Sequence, residues 1–266
     1  MNIKIICIAL TLIAHNAFTT AHMNDVQAVI LAAGKSKRFK SSTSKVLAPL
    51  QYKPLIIHAL QPLQDLHIPI ILVVGHQREL IQEAVANANI EDVQYAIQEE
   101  QLGTGHAVLC AQSCWSKDHI LITYGDMPLI NADIIADLHR THIDQNADLT
   151  LIVAVNTEPS CSYGRIVQDK GGIRIIEKKH FIMDINDYPL VNAGIYLVKR
   201  EVLEMCLAEI TPNEVTHEYY FTDILEIANK KKLRIATLEV PFNAVRGINT
   251  QEEYLELINL LENSGN

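Results

Sequence analysis

Short unbroken apolar runs alternate along the chain with stretches whose apolar residues return every three or four positions. Residues 28–33 (AVILAA) form one such run, the pattern of a strand buried on both faces of a parallel sheet. Residues 54–66 predict a helix that Pro62 would kink or shorten. A second buried strand spans 68–74 and is closed by Gly75, followed by an amphipathic helix over 78–88 and a short strand over 93–97. Residues 105–114 predict a helix entered through a Gly-Thr-Gly turn, and 119–124 a strand ending at Gly125-Asp126. A helix over 131–141 with Asn131 as its N-cap and a strand over 149–155 come next.

This alternation predicts an α/β fold, a doubly wound, Rossmann-like and mostly parallel sheet. After residue 155 the texture changes. Strands over 165–167, 173–177 and 191–198, with turns such as Lys170-Gly171-Gly172 between them, read as a smaller, partly antiparallel lobe. Residues 218–229 and 250–262 predict helices, the second closing the chain. The expected division is one domain over 25–262, with a first half to 155, a lobe over 156–225 and a closing segment over 226–262.

Composition narrows the chemistry. The formal net charge of −9 argues against a general nucleic-acid binder. Against that background Lys35, Lys37, Arg38, Lys40 and Lys45 form a cationic stretch without an acidic residue, which suits a small polyanionic ligand. The five cysteines, Cys7, Cys110, Cys114, Cys161 and Cys206, are scattered without CxxC spacing and read as reduced thiols. His106, Cys110 and Cys114 fall on one helix face; no fourth ligand at motif spacing follows, so a half-buried stripe is expected in preference to a zinc site. His139 and His142 are expected on a helix surface.

Residues 1–22 carry a lysine, an apolar run over 5–14 and small polar residues, like a secretory signal with a weak cleavage region near Ala21. The run is too short to span a bilayer comfortably. Met23 opens MNDVQAVILAAG, a natural protein start, so an over-long start is expected, with secretion as the alternative. No stable membrane association is expected.

The turn after the first strand fits neither familiar nucleotide motif. Gly34 is followed by Ser36 where a dinucleotide fingerprint needs glycine, and Gly34-Lys35-Ser36 lacks the upstream glycine of a P-loop. What stays is one glycine with an arginine four positions on and a lysine eleven on. Backbone N–H groups in such a turn hold phosphate oxygens, and Arg38 and Lys45 would neutralise them.

LAAGKSKRF…SKVL resembles the L-A-A-G-x-G-T-R-M…P-K signature of sugar-1-phosphate nucleotidyltransferases, above all the uridyltransferase half of bacterial N-acetylglucosamine-1-phosphate uridyltransferases. The likeness continues through QEEQLGTGHAV (98–108), YGDMPLI (124–130), YGRIV (163–167), VNAGIYLV (191–198), EYYFTDI (218–224) and GIN (247–249). It implies the nucleotide-diphospho-sugar transferase fold with a sugar-binding lobe, and Mg²⁺-dependent transfer of UMP from UTP to N-acetylglucosamine-1-phosphate in the cytoplasm. Nothing resembles the hexapeptide repeats of the acetyltransferase half, so acetyl transfer is not expected.

The resemblance implies catalytic roles for Arg38, Lys45 and Asp126, with Mg²⁺ held by Asp126 and Asn249. It implies nucleotide contacts from Leu31, Ala32, Ala33, Gly34, Lys45, Gln98, Gly103, Thr104, Tyr124 and Gly125. Gly164, Glu177 and Asn192 match sugar-binding positions, Thr222 is a further candidate contact, and Asn249 is a substrate contact as well as a metal ligand. The alternatives are another sugar phosphate or nucleotide, or a degenerate nucleotide-sugar binding protein. Four positions depart from the pattern: Ser36 for glycine, Ser44 for proline, Ala193 for threonine and Arg246 for glutamate. A left-handed backbone at Ser36 would be awkward for serine.

Overall fold

The structure, a computed structural model, describes residues 23–158, 161–177, 184 and 186–264. The signal-like leader lies outside the described residues. Eleven strands and seven α-helices are described: β1 (Val26–Leu31), β2 (Pro49–Leu50), β3 (Lys53–Pro54), α1 (Leu55–Asp65), β4 (Ile70–Val74), α2 (Arg78–Asn87), β5 (Val93–Ile97), α3 (Thr104–Cys110), β6 (His119–Tyr124) and α4 (Ala132–Asp144) make the first half. The rest comprises β7 (Leu149–Val155), β8 (Arg165–Asp169), β9 (Gly172–Ile176), β10 (Leu190–Lys199), α5 (Arg200–Leu207), α6 (Ile224–Lys230), β11 (Ile235–Glu239) and α7 (Gln251–Ser264).

The unbroken apolar runs pair into a sheet of order β11-β7-β10-β6-β1-β4-β5. β1 is parallel to both β4 and β6, β4 to β5, and β7 to β11. The sheet is covered on both faces, which is why β1 reads as a continuous apolar run. Val26, Ala28 and Ile30 of β1 share one core with residues of α1, α2 and α4. Val29 and Leu31 share the other with α3, α5 and α6. This is the expected α/β architecture.

Four expectations are corrected. Residues 191–198 read as part of the smaller lobe, yet β10 runs antiparallel between β6 and β7 inside the main sheet, and its interior is buried on both faces. The antiparallel addition is the β8–β9 hairpin, joined to β10 through Val191 opposite Arg165. Residues 218–220 are not helical. Tyr219 N–H donates to the Leu102 carbonyl at 2.7 Å, Gly105 N–H to Tyr219 O at 2.8 Å and Phe221 N–H to Thr104 Oγ1 at 2.9 Å, so tertiary partners take the backbone groups a helix would use. A 3₁₀ turn over Phe221–Asp223 then leads into α6.

The helix expected over 105–114 ends at Cys110, and Cys114 sits in a separate 3₁₀ turn, so the stripe reduces to His106 and Cys110. His139 and His142 are buried, at 5% and 1% exposure, on the face of α4 that also buries Ile135 and Leu138. A neutral imidazole tolerates burial where a polar group stands beside one of its nitrogens. His142 Nδ1 lies 2.8 Å from Thr150 Oγ1, and His139 Nε2 3.6 Å from the Asp25 carboxylate.

Asn131 caps α4 as expected, its Oδ1 accepting from Ile134 N–H at 2.9 Å. α1 continues through Pro62. At the far end of the chain, Leu257 of α7 packs with Phe39, Leu50, Leu55 and Ile248, so the closing helix supports the basic stretch from beneath. Cys110, Cys114, Cys161 and Cys206 are free thiols. Among the described residues no helix is long and apolar enough to cross a membrane.

Candidate active site

Strands β1, β5 and β6 end on the same side of the sheet, and the loops that leave them converge there. In open α/β sheets this carboxyl edge is where ligands gather. After β1 the chain makes the turn at Gly34, and Ser36 takes the left-handed conformation with φ 52° and ψ 33°. The awkward serine is therefore real, and its side chain has a use: Ser36 Oγ accepts the N–H of Lys45 at 3.1 Å. Arg38 lies in the 3₁₀ turn Lys37–Phe39, and Lys45 opens the next, Lys45–Leu47.

Asp126 follows β6, and its carbonyl accepts the N–H of Ile248 at 2.9 Å. Gly247 N–H donates to Tyr163 Oη at 2.5 Å, so the 247–249 turn is fastened on two sides. A capping box at the start of α7 fixes Asn249. Thr250 Oγ1 accepts from Glu253 N–H at 3.2 Å, while the Glu253 carboxylate accepts from Asn249 N–H at 2.6 Å and Thr250 N–H at 3.2 Å.

The result is a knot of four side chains. Lys45 Nζ is ion-paired with Asp126 Oδ2 and donates to Asn249 Oδ1 at 2.8 Å; Arg38 Nη2 donates to the same oxygen at 3.3 Å. Lys45 and Asp126 are mostly shielded, with side-chain exposures of 17% and 13%. Two oxygens thus aim at one cationic point. A carboxylate and a carboxamide are hard oxygen donors of the kind Mg²⁺ takes in small number, keeping waters and phosphates for the rest. The residues present fit that ion, although among the described residues no group of three or more His, Cys, Asp or Glu gathers as a metal cluster.

Two subsites meet at this knot. A cleft of about 540 Å³ is lined by Leu31, Ala32, Ala33, Gly34, Arg38 and Lys45, with Gln98, Gly103, Thr104, Tyr124 and Asp126 on its other walls. A second hollow of about 350 Å³ takes in Gly164, Glu177, Asn192, Thr222 and Asn249, and shares Arg38, Thr104, Tyr124 and Asp126 with the first. Of the residues singled out in the sequence, Gly125 is the exception. It is buried beneath the floor, where a Cβ would approach Ile56 Cδ1 to 2.4 Å, so its glycine serves packing.

In the larger cleft Gln98 Nε2 donates to Gly103 O at 3.0 Å and lies 3.1 Å from His106 Nδ1. Gly103 has φ +107°, and a Cβ there would come within 2.5 Å of Tyr219 O, so both backbone conformation and close approach require glycine. In the smaller hollow Thr222 Oγ1 donates to Glu177 Oε1 at 3.4 Å. Asn192 Oδ1 accepts from Gly194 N–H at 3.0 Å, at the irregularity where the β10–β7 register shifts. Burial and the Asp126 charge raise the Tyr124 phenol above its usual range, so it stays neutral.

Sequence reasoning missed Tyr163 and Tyr220 on the cleft walls, and the capping box, which was legible as Thr250-x-x-Glu253.

The family model for the MobA-like NTP transferase domain matches residues 28–204. Among curated proteins, the chain is 34% identical over 238 residues to the bifunctional protein GlmU of Thermoanaerobacter pseudethanolicus, covering 88% of this chain and 51% of that protein. It is 36% identical over 236 residues to the bifunctional protein GlmU of Desulfotalea psychrophila, covering 86% of this chain and 68% of the other. The chain spans about half the length of most of the curated relatives it matches. Its fold is similar to a UDP-glucose pyrophosphorylase solved with UDP-glucose, with TM-score 0.70 and 20% identity, covering 90% and 98% of the two chains. It is also similar to a nucleotidyl transferase from Methanothermobacter thermautotroptrophicus, with TM-score 0.62 and 17% identity, covering 91% and 99%.

Proposed function

Because the chain belongs to the MobA-like NTP transferase domain family, we propose that it transfers UMP from UTP to N-acetylglucosamine-1-phosphate and releases pyrophosphate. The observation that carries this reading is the meeting of two subsites at one knot of charge, Arg38, Lys45, Asp126 and Asn249. A transferase joining two phosphate esters needs both reacting phosphates at a shared point, and a cleft divided there supplies it.

In this reading the turn from Leu31 to Gly34 seats the triphosphate, with Arg38 and Lys45 neutralising its charge and that of the departing pyrophosphate. A phosphate oxygen of the sugar-1-phosphate attacks the α-phosphorus of UTP in line, and the bond from that phosphorus to the β-phosphate bridge oxygen breaks. Asp126 and Asn249 would hold Mg²⁺, which supplies charge stabilisation when bound. Gln98, Gly103 and Thr104 border the base, and Tyr124 separates it from the sugar side. Gly164 lines the same hollow, and Glu177, Asn192 and Thr222 offer hydrogen bonds to sugar hydroxyls and the acetamido group. A buried polar group left unpaired by a sugar lacking its partner is the source of selectivity.

The test is pyrophosphate release from UTP with N-acetylglucosamine-1-phosphate and Mg²⁺, run beside glucose-1-phosphate and other nucleoside triphosphates. Highest kcat/KM for the first pair is the expected result. A faster rate with another pair reassigns the substrates within the same chemistry. Tight nucleotide-sugar binding with no turnover for any pair refutes the enzyme.

A further inference from the structure

Lys45 carries the charge at the centre of the knot, yet it stands at the end of an exposed polar stretch, Lys40 to Thr43, that buries nothing of its own. Lys40 is itself in the left-handed region, with φ 51°. Between the buried Phe39 and Val46 this stretch has no apolar contact of its own. Its backbone is instead held by a side chain from elsewhere in the fold. Gln77 Oε1 accepts the N–H of Ser44 at 2.6 Å, and Gln77 Nε2 donates to the Ser42 carbonyl at 2.8 Å. One carboxamide therefore closes both a donor and an acceptor of the loop, two residues apart, just before Lys45. Together with Ser36 Oγ on the Lys45 N–H, three successive hydrogen bonds fasten the approach to the lysine.

Two further observations single out Gln77. It stands immediately before α2 with φ 56°, a conformation that costs a non-glycine residue free energy, and its side chain makes no capping bond to the helix. Its side chain is turned across to the loop instead. Ser44, for its part, holds φ −53° and ψ 135°, a backbone that proline would also adopt. Proline has no N–H. Serine supplies the donor that Gln77 takes up, and Ser44 is 2% exposed, so an unmet N–H there would be costly.

We propose that Gln77 is a positioning residue for Lys45: its carboxamide bridges Ser44 and Ser42 and so delivers the Lys45 ammonium to the point between Asp126 and Asn249. Gln77 touches no reacting group in this arrangement and acts only through the lysine. The kinetic consequence rests on the nucleotidyltransferase reading, whereas the bridge itself does not.

Two measurements test it, on the full chain. The first needs no nucleotide: residue-resolved amide exchange in wild type and in Gln77→Ala. Protection at Ser44 and Lys45 falls about tenfold or more in the variant while the β1 amides keep theirs; unchanged protection at Ser44 overturns the proposal. The second is Mg²⁺–UTP affinity in Gln77→Ala, Lys45→Met and the double variant. Gln77→Ala weakens binding about threefold to tenfold on its own, the effect of one or two lost hydrogen bonds, and has almost no effect once Lys45 is gone. Equal losses in both backgrounds mean that Gln77 does not act through Lys45, which overturns the proposal. Should wild type bind no UTP, the nucleotide assignment fails, and the exchange at Ser44 alone decides for or against the bridge.

Discussion

The Lys45 ammonium is held between the Asp126 carboxylate, with which it is ion-paired, and the Asn249 carboxamide oxygen 2.8 Å away. These residues come from a loop after β1, the end of β6 and the entry to α7, so the fold joins three distant segments through one cation. Asp126→Asn removes the negative charge while keeping the shape. Turnover should fall by at least about a hundredfold, the scale seen when a preorganised electrostatic group is lost from an active site. Steady-state pyrophosphate release measures it, and a wild-type rate in that variant would refute the role given to Asp126.

The same geometry bears on metal binding. The two oxygens suited to Mg²⁺ are already engaged by an ammonium, so a divalent cation arriving alone has to displace Lys45. A triphosphate gives the lysine another anionic partner and removes that competition. Lys45→Ala should therefore raise the affinity of the nucleotide-free protein for Mn²⁺ by about tenfold, one unit of log affinity or about 1.4 kcal/mol. Titration followed by the Mn²⁺ spin-resonance signal reads this directly. Weaker Mn²⁺ binding in the variant would mean that the ammonium does not compete for the site.

Much of this architecture was legible because buried parallel strands leave an unmistakable trace. AVILAA, the apolar run over 68–74 and HILITY read as strands since both sheet faces are covered and nearly every position is apolar, Thr123 being the polar residue buried within HILITY. Arg38 and Asp126 were legible by type and place, as charges soon after strand ends, whereas Lys45, well downstream of β1, was legible through the cationic stretch and the family resemblance. What stayed hidden depends on partners far away in the chain. His139 and His142 look like surface residues until Asp25 and Thr150 are brought beside them. Residues 218–220 have helical neighbours, but Leu102, Thr104 and Gly105 claim their backbone. Gln77 reaches Ser44 across thirty-three positions, and no local pattern announces that bond.

The hairpin between β2 and β3 carries a correctable local cost. Gln51 and Tyr52 have φ 45° and 69° in the two-residue loop that joins Leu50 to its partner Lys53. Positive φ at both positions is the type I′ arrangement that favours Asn-Gly. Tyr52 is fully exposed, so its ring gains no burial to offset the left-handed backbone. Tyr52→Gly should stabilise the fold by about 0.5–1 kcal/mol, the left-handed penalty less the entropy glycine adds to the unfolded chain. A thermal melt should show a midpoint higher by about 1–4 °C; a lower midpoint would mean that the ring contributes stability.

His142 sets a pH dependence far from the cleft. Burial, with repulsion from His119, His139 and Lys199 and opposition from Asp148, pushes it from the ordinary 6.5 down to about 3. Its Nδ1 is engaged with Thr150 and its Nε2 is buried without a hydrogen-bond partner, so a second proton has nowhere favourable to sit. The unfolded chain takes up that proton near pH 6.5, whereas the folded chain does not until about pH 3. Between those values the unfolded state binds more protons, and stability falls as pH falls. From pH 7 to pH 5 this one group should remove about 2 kcal/mol. His142→Gln keeps a polar group for Thr150 but does not titrate, so it should lose that much less over the same interval. The remaining ionisable groups are common to both proteins, and the comparison cancels them to first order. Urea unfolding at pH 7 and pH 5 gives the difference; equal losses in the two proteins would show that His142 takes up its proton without unfolding the chain.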